Sequence, residues 1–251
     1  MFKKIADKLS LIGLAIIYLI THCMKTKSRI WFCPLTVMCL VLILANSCKK
    51  EEEDITDVDG NVYTSVTIGT QVWMVESLKT TRYRNGDLIG TTTPATFDIS
   101  AEAAPKYQWA YAGFEDNVFR YGRLYTWWAV TDIRGVCPTG WHVPSDAEWT
   151  TLTTFLGGED VAGGKLKEAG TTHWWASDEG VTNSSGFTAL PGGDRYDNGG
   201  FDGFGGYGNW WSSTEYSATI GYCRGISFYW LSFPSQAANG WWGFSVRCLR
   251  D

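Results

Sequence analysis

The chain has 251 residues, of which 45% are hydrophobic and 15% aromatic, enough for a sizeable core within one large domain. Its formal net charge is −5 at pH 7, and residues 48–251 hold 15 basic and 25 acidic side chains, a net charge of −10. Because an acidic surface repels phosphate backbones, we expect no nucleic-acid partner.

The first 47 residues have the pattern of a secretory signal. Basic residues follow Met24, and an apolar stretch over residues 30–45 leads to small residues and Cys48. This arrangement resembles the lipobox of bacterial lipoproteins, which implies that Cys48 is acylated. The apolar stretch is shorter than the roughly 20 residues that a spanning helix needs. We therefore expect residues 1–47 to be a signal region with translation starting at Met24; a two-span membrane segment is the alternative.

Residues 48–56 are predicted to form a hydrophilic tether. Two lysines and a run of acidic residues follow Cys48, and such a segment is too polar to bury. It resembles the signal by which Bacteroidota send lipoproteins to the outer face of the outer membrane. We expect an outer-membrane protein that is anchored by lipid and faces the cell exterior; a plain spacer is the alternative.

Residues 57–251 are expected to form the folded domain, which starts with a hairpin. Two short apolar runs flank Gly69-Thr70 and predict two strands joined by a two-residue turn. Residues 84–106 are rich in turn residues and predict a loop. Residues 121–130 place apolar side chains on one helical face and predict a short buried helix.

A capped helix is predicted directly after Pro144. Ser145 and Glu148 have the spacing of a capping box, in which each side chain bonds the other residue's main-chain N–H. The helix should end at Gly157-Gly158, and another helical turn is predicted over residues 161–168.

Beyond residue 170 the sequence predicts loops and short strands. Eight of the seventeen residues from 192 to 208 are glycine, which argues against regular structure there. Strands are predicted over residues 210–213, 226–233 and 243–248. The fold class is thus α+β, a single domain with two or three short helices, short antiparallel strands and long loops.

Several blocks of this domain resemble one known family. They include YGRLYTWWAV (121–130), CPTGWHVPSDAEWTTLTTFLGG (137–158), WWSSTEY (210–216) and GFSVRCLRD (243–251). These blocks are similar in order and spacing to the Fibrobacter succinogenes major paralogous domain of lipoproteins and surface proteins, and the likeness covers nearly all of residues 57–251. The resemblance implies a fold related to C-type lectin-like domains and to the sulfatase-modifying group. It brings no established activity with it.

Three cysteines remain in the folded part, Cys137, Cys223 and Cys248. In an exported protein we expect two of them to pair and one to be left over. The family resemblance implies that Cys137 and Cys248 form the disulfide and that Cys223 is unpaired.

The usual motifs of catalysis are missing from residues 48–251. The two histidines, His142 and His173, have no metal-binding spacing, and the sequence has neither a nucleophile elbow nor a phosphate loop. We predict no enzymatic activity. A carbohydrate-active or protein-modifying enzyme is the alternative, and a purely structural surface module is a third possibility.

The aromatic content is the main indication of a ligand. Residues 48–251 hold 13 tryptophans, eight of them in four adjacent pairs. Two neighbours on a strand point to opposite faces, so a tryptophan pair on a strand must pack against two cores or expose one ring. Exposed rings beside polar loops predict binding of a glycan or of a protein at the cell envelope, whereas the alternative is that all rings fill cores. The ligand-binding candidates are Trp174, Trp175, Asp194, Tyr196, Asp197, Asn198, Asp202, Tyr207, Asn209 and Trp241.

No cofactor is predicted for this domain, and the sequence does not decide whether it binds calcium. The carboxylates between Asp194 and Asp202 supply the oxygen ligands that calcium prefers, although their spacing matches no known calcium loop.

Overall fold

The computed structural model describes residues 54–176 and 179–251. The signal region, Cys48 and the tether up to residue 53 lie outside the described residues. Contacts group Glu53–Asp251 into one unit. Within the described ranges, no helix combines the length and the apolar character that crossing a membrane requires.

The described residues form thirteen short strands and four short α-helices. The strands are β1 (Ile55–Thr56), β2 (Val62–Tyr63), β3 (Ser65–Ile68), β4 (Gln71–Met74), β5 (Gln108–Trp109), β6 (Leu124–Tyr125), β7 (Trp141–His142), β8 (Asp194–Arg195), β9 (Phe201–Asp202), β10 (Tyr207–Ser217), β11 (Ile220–Ser227), β12 (Ser235–Asn239) and β13 (Leu249–Arg250). The helices are α1 (Asp116–Tyr121), α2 (Trp127–Val130), α3 (Asp146–Phe155) and α4 (Glu159–Leu166). The predicted α+β class is confirmed, with one helix more than expected.

Two antiparallel sheets dominate the fold. One has the order β3-β4-β13-β7, and the other has the order β10-β11-β12. The predicted hairpin is present, because β3 and β4 pair around Gly69-Thr70. Three two-stranded ribbons complete the strand pairing of the described residues, β1-β2, β5-β6 and β8-β9.

Helix α3 follows from its local sequence. The Ser145 hydroxyl accepts the Glu148 N–H, and the Glu148 carboxylate accepts the Ser145 N–H, so the predicted capping box is complete. Trp149 and Leu152 lie on its buried face. Gly157 and Gly158, which follow the helix, have φ of 103° and 106°, values that residues with a Cβ atom rarely adopt.

The predicted helix over residues 121–130 is wrong in its first half. Gly122 has φ 75° and ends α1. Leu124 and Tyr125 form β6, which pairs with β5, and beyond Gly122 only Trp127–Val130 is helical. Strand pairing satisfies the main chain here, and this long-range contact overrides the local apolar pattern.

Three strand boundaries also differ from the prediction. The strand expected over residues 226–233 instead runs over Ile220–Ser227, and Ser227 is followed by a turn. The glycine-rich segment 192–208 contains β8, β9 and the start of β10, although no regular structure was expected there. At the carboxyl end only Leu249–Arg250 is a strand, and Gly243, Phe244 and Ser245 each form an isolated bridge.

The apolar side chains form two core clusters that meet at β10. Trp211 packs with Tyr125 and Phe244 in one cluster, whereas its neighbour Trp210 packs with Phe187 in the other. Both indoles are fully buried. Adjacent residues of a strand face opposite sides, so this tryptophan pair serves both cores at once.

The disulfide joins Cys137 to Cys248, 111 residues apart. The predicted pairing is confirmed, and it ties the entry of β7 to the last strand. Cys223 is unpaired and buried on β11.

Candidate functional site

Five aromatic residues form a contiguous surface at one end of the β10-β11 ribbon. Trp175, Tyr229 and Trp230 have 61%, 49% and 63% of their surface exposed, and Tyr207 and Phe228 are half-buried. Phe228 contacts Trp175, Tyr207 and Tyr229, with ring centroids 5.3, 6.5 and 3.7 Å apart. We call these five residues the aromatic platform.

Strand pairing assembles one half of the platform. Tyr207 is the first residue of β10 and lies opposite Ser227, the last residue of β11. The turn after Ser227 therefore places Tyr229 beside Tyr207. Their hydroxyl groups are 2.9 Å apart and share a hydrogen bond. That hydrogen bond, more than burial, raises the pKa of Tyr207, and the carboxylate of Asp202 contributes to the same shift.

Glycine residues make a seat for Trp175. The Trp175 main-chain N–H donates to the carbonyl of Gly205 over 2.8 Å. A Cβ atom on Gly205 would lie 2.3 Å from Trp175 Nε1, and one on Gly206 would lie 2.8 Å from the same indole. The indole thus rests directly on main chain, which explains one use of the glycine-rich segment.

Four predicted candidates lie on β9 and on the turn that leads into it. Asp202 and Asn198 are exposed, whereas Tyr196 and Asp197 are half-buried. The Asp202 carboxylate accepts the N–H of Gly203 over 2.8 Å. Asp202 precedes Gly203, whose carbonyl accepts the Tyr207 N–H over 2.7 Å, so Asp202 lies close to the platform.

Asp194 and Asn209 lie beneath the surface. The Asn209 side chain donates to Asp194 Oδ1 over 2.9 Å. Burial raises the pKa of Asp194 from 3.8 to about 7, and the charge of Asp202, its cross-strand partner, adds to this effect against the opposing hydrogen bond. Asp194 is therefore a buried carboxyl group that titrates near neutral pH.

Trp174 and Trp241 occupy other surroundings. Trp174 is buried, and its Nε1–H donates to the Ala189 carbonyl over 3.1 Å. Trp241 is half-buried, packs edge-on against Trp128 and donates its Nε1–H to the Glu102 carbonyl over 2.7 Å. Of the ten candidates, Trp175 and Tyr207 belong to the platform.

Three platform residues escaped the sequence analysis. Phe228, Tyr229 and Trp230 lie within the strand that the sequence predicts over residues 226–233. Three consecutive aromatic side chains cannot all face one side of a strand, and this was the signal that could have marked them as surface residues.

The two histidines have carboxylate partners. His142 Nδ1 lies 2.7 Å from Asp251 Oδ1, and His142 Nε2 lies 3.0 Å from Glu148 Oε1. Burial lowers the pKa of His142, but these two carboxylates outweigh it, so the pKa is raised. His173 lies 2.7 Å from Glu168. Among residues 54–176 and 179–251, no group of three or more His, Cys, Asp or Glu side chains could hold a metal ion.

Comparison with known proteins gives one match. The sequence model of the family described as the Fibrobacter succinogenes major domain matches residues 66–250, a range that includes the whole platform. Comparison with curated proteins and with solved structures finds no match.

Proposed function

The chain belongs to the Fibrobacter succinogenes major domain family, and we propose that its domain is a non-enzymatic binding module which recognises a glycan through the aromatic platform. The single observation that carries this proposal is the exposure of Trp175, Tyr229 and Trp230 on one continuous surface. Large exposed apolar patches on soluble domains mark interaction sites.

The chemistry of the platform suits a sugar ring. An aromatic face carries partial negative charge and attracts the weakly positive C–H groups on the face of a pyranose. The rings are held by one another and by the Gly205-Gly206 seat, so binding costs little side-chain entropy. The carboxylate of Asp202 provides an acceptor for hydroxyl groups at the edge.

The charge of the domain favours neutral glycans. Residues 48–251 carry a net charge of −10, and Asp202 directly precedes Gly203, whose carbonyl is hydrogen-bonded to the Tyr207 N–H. Like charges oppose association, so an anionic polysaccharide or a nucleic acid is a poor ligand for this surface.

The proposal includes a fold type and a place in the cell. We propose that the α+β arrangement is related to C-type lectin-like domains. We also propose that Cys48 carries a lipid and that the tether presents the domain on the outer face of the outer membrane, where envelope or environmental glycans are available.

A glycan array tests the function. The probe is residues 53–251, which form one unit. We expect binding to a neutral glycan, and we expect Trp175→Ala to weaken it by about tenfold or more, the effect of losing about 1.4 kcal/mol of stacking.

Tyr216→Ala is the matched control. Tyr216 is 58% exposed and lies near the opposite end of β10 from Tyr207, so its removal should leave affinity unchanged. Absence of binding to every glycan, or equal binding by the Trp175 variant, would contradict the proposal.

A further inference from the structure

A small cavity lies beside the disulfide, apart from the platform. Its volume is about 210 Å³, below the roughly 300–1,000 Å³ of pockets for drug-sized ligands, so it suits a small occupant. Its walls come from β1, the segment after it and the segment before β7. The lining residues are Thr56, Asp57, Val58, Arg84, Val136, Cys137, Pro138 and Thr139. We call this cavity the Arg84 pocket.

The guanidinium of Arg84 is fixed by main-chain carbonyl groups. Its Nε donates to the Cys137 carbonyl over 3.1 Å and its Nη2 to the Trp141 carbonyl over 3.0 Å. The main-chain N–H of Arg84 donates to Gly135 over 2.8 Å. The side chain is therefore positioned without help from a ligand.

Arg84 keeps unused donors. Among the described residues, no acidic side chain forms an ion pair with Arg84, and no hydrogen-bond acceptor is assigned to Nη1. Cys137 and Trp141 occupy Nε and one N–H of Nη2, which leaves three of the five N–H groups of the fork.

The carboxylate of Asp57 adds no free acceptor to the cavity. Its Oδ1 accepts the N–H groups of Asp59 and Asn61 over 3.0 and 2.9 Å. Its Oδ2 accepts the Asn61 side-chain amide over 2.9 Å and the Tyr63 hydroxyl over 2.6 Å. Four donors fill the lone-pair positions of this carboxylate, so it accepts no further hydrogen bond from a ligand.

The cavity thus offers hydrogen-bond donors on one wall and an apolar wall elsewhere. Val136, Cys137 and Pro138 are buried around it, and Thr56 and Thr139 bring exposed hydroxyl groups to it. A ligand that matches these walls has hydrogen-bond acceptors at one end and an apolar carbon skeleton at the other.

We propose that the Arg84 pocket binds a small organic carboxylate. The planar fork of arginine matches the two oxygens of a carboxylate, and a charge-assisted pair of this kind is stronger than a neutral hydrogen bond. The carboxylate can come from a sugar acid or from the end of a peptide chain, since both present the same group on a small carbon skeleton.

Calorimetric titration of residues 53–251 tests the pocket. The probes are D-glucuronate, its methyl ester, D-glucose and N-acetyl-L-alanine. We expect saturable binding of glucuronate or N-acetylalanine with a Kd in roughly the millimolar range. We expect no binding of the methyl ester or of glucose, which are neutral. Which carboxylate binds identifies the source of the group. Failure of both carboxylates, or equal binding of the methyl ester, would overturn the proposal.

Two variants locate the binding. Arg84→Gln should abolish binding of the carboxylate ligand. Thr139→Glu should weaken this binding by about tenfold, because the introduced carboxylate at the rim of the pocket repels the carboxylate of the ligand. Thr139→Glu leaves the Arg84 hydrogen bonds in place, so it remains informative if Arg84→Gln fails to fold. Thr151→Glu, at an exposed position of α3, adds the same charge elsewhere and should have no effect. Retained affinity in a folded Thr139→Glu variant would contradict the assignment.

Discussion

Asp194 shows how the fold changes the chemistry of a single residue. The sequence placed it among surface acids of a loop, where a carboxyl group is ionised at neutral pH. The structure buries it opposite Asp202 and raises its pKa to about 7. Sequence alone could not show this, because the causes are the burial of Asp194 in the folded domain and its pairing with Asp202 across β8 and β9.

The raised pKa makes the stability of the domain depend on pH. The folded state binds the proton of Asp194 more tightly than the unfolded state, where the pKa is about 3.8. Its contribution is therefore complete below pH 4 and is lost as the pH rises through 7. The linked change amounts to about 4 kcal/mol between pH 4 and 7, and urea denaturation from pH 4.5 to 8.5 should record most of it as falling stability.

Asp194→Asn should flatten this part of the pH dependence, since the amide keeps an acceptor for Asn209 and does not titrate. Asp160→Asn, at an exposed carboxylate on α4, is the matched control and should retain the wild-type slope. An unchanged slope in the Asp194 variant would assign the pH dependence to other groups.

Elements with local causes were predictable from the sequence. The β3-β4 hairpin depends on Gly69-Thr70, and α3 depends on Ser145 and Glu148. Elements with distant partners were not. Leu124 looks helical by pattern, yet it pairs with Trp109 in β5. The same limit applies to the site, since Trp175 was predicted but the Phe228-Tyr229-Trp230 turn depends on where β11 ends.

The cap of α3 gives a prediction at this scale. Ser145→Ala removes the acceptor of the Glu148 N–H and should lower the free energy of unfolding by about 1 kcal/mol. Thr151→Ala, on the exposed face of the same helix, should have a smaller effect or a slightly stabilising one. Equal losses in urea denaturation would show that the cap does not determine the stability of the helix.

At the scale of the whole molecule, two cores are connected by β10 and closed by the disulfide. Trp210 and Trp211 are neighbours on β10, and each packs into a different one of the two core clusters. Cys137–Cys248 closes a loop of 111 residues, which includes the glycine-rich segment and every residue of the platform. The stretch around Cys137 therefore stabilises the fold, while the candidate binding surface lies in the loops that the disulfide closes.

Loss of the disulfide should destabilise the domain strongly. Closing a loop of this length stabilises the folded state by about 4–5 kcal/mol in the chain-entropy model, a large part of a typical total of about 5–15 kcal/mol. Cys137→Ala should therefore lower the melting temperature sharply. Cys223→Ala removes one buried sulfur atom and should cost far less. Similar melting temperatures for the two variants would contradict this account of stability.

The most direct test of the central claim is an NMR titration of the indole N–H signals. The ¹⁵N-labelled domain is titrated with a neutral glycan selected on the array. Binding at the platform predicts shifts of the Trp175 and Trp230 signals, with the signals of buried Trp73 and Trp149 unchanged. Shifts confined to other tryptophans, or no shift at saturating glycan, would contradict the claim that this surface binds the ligand.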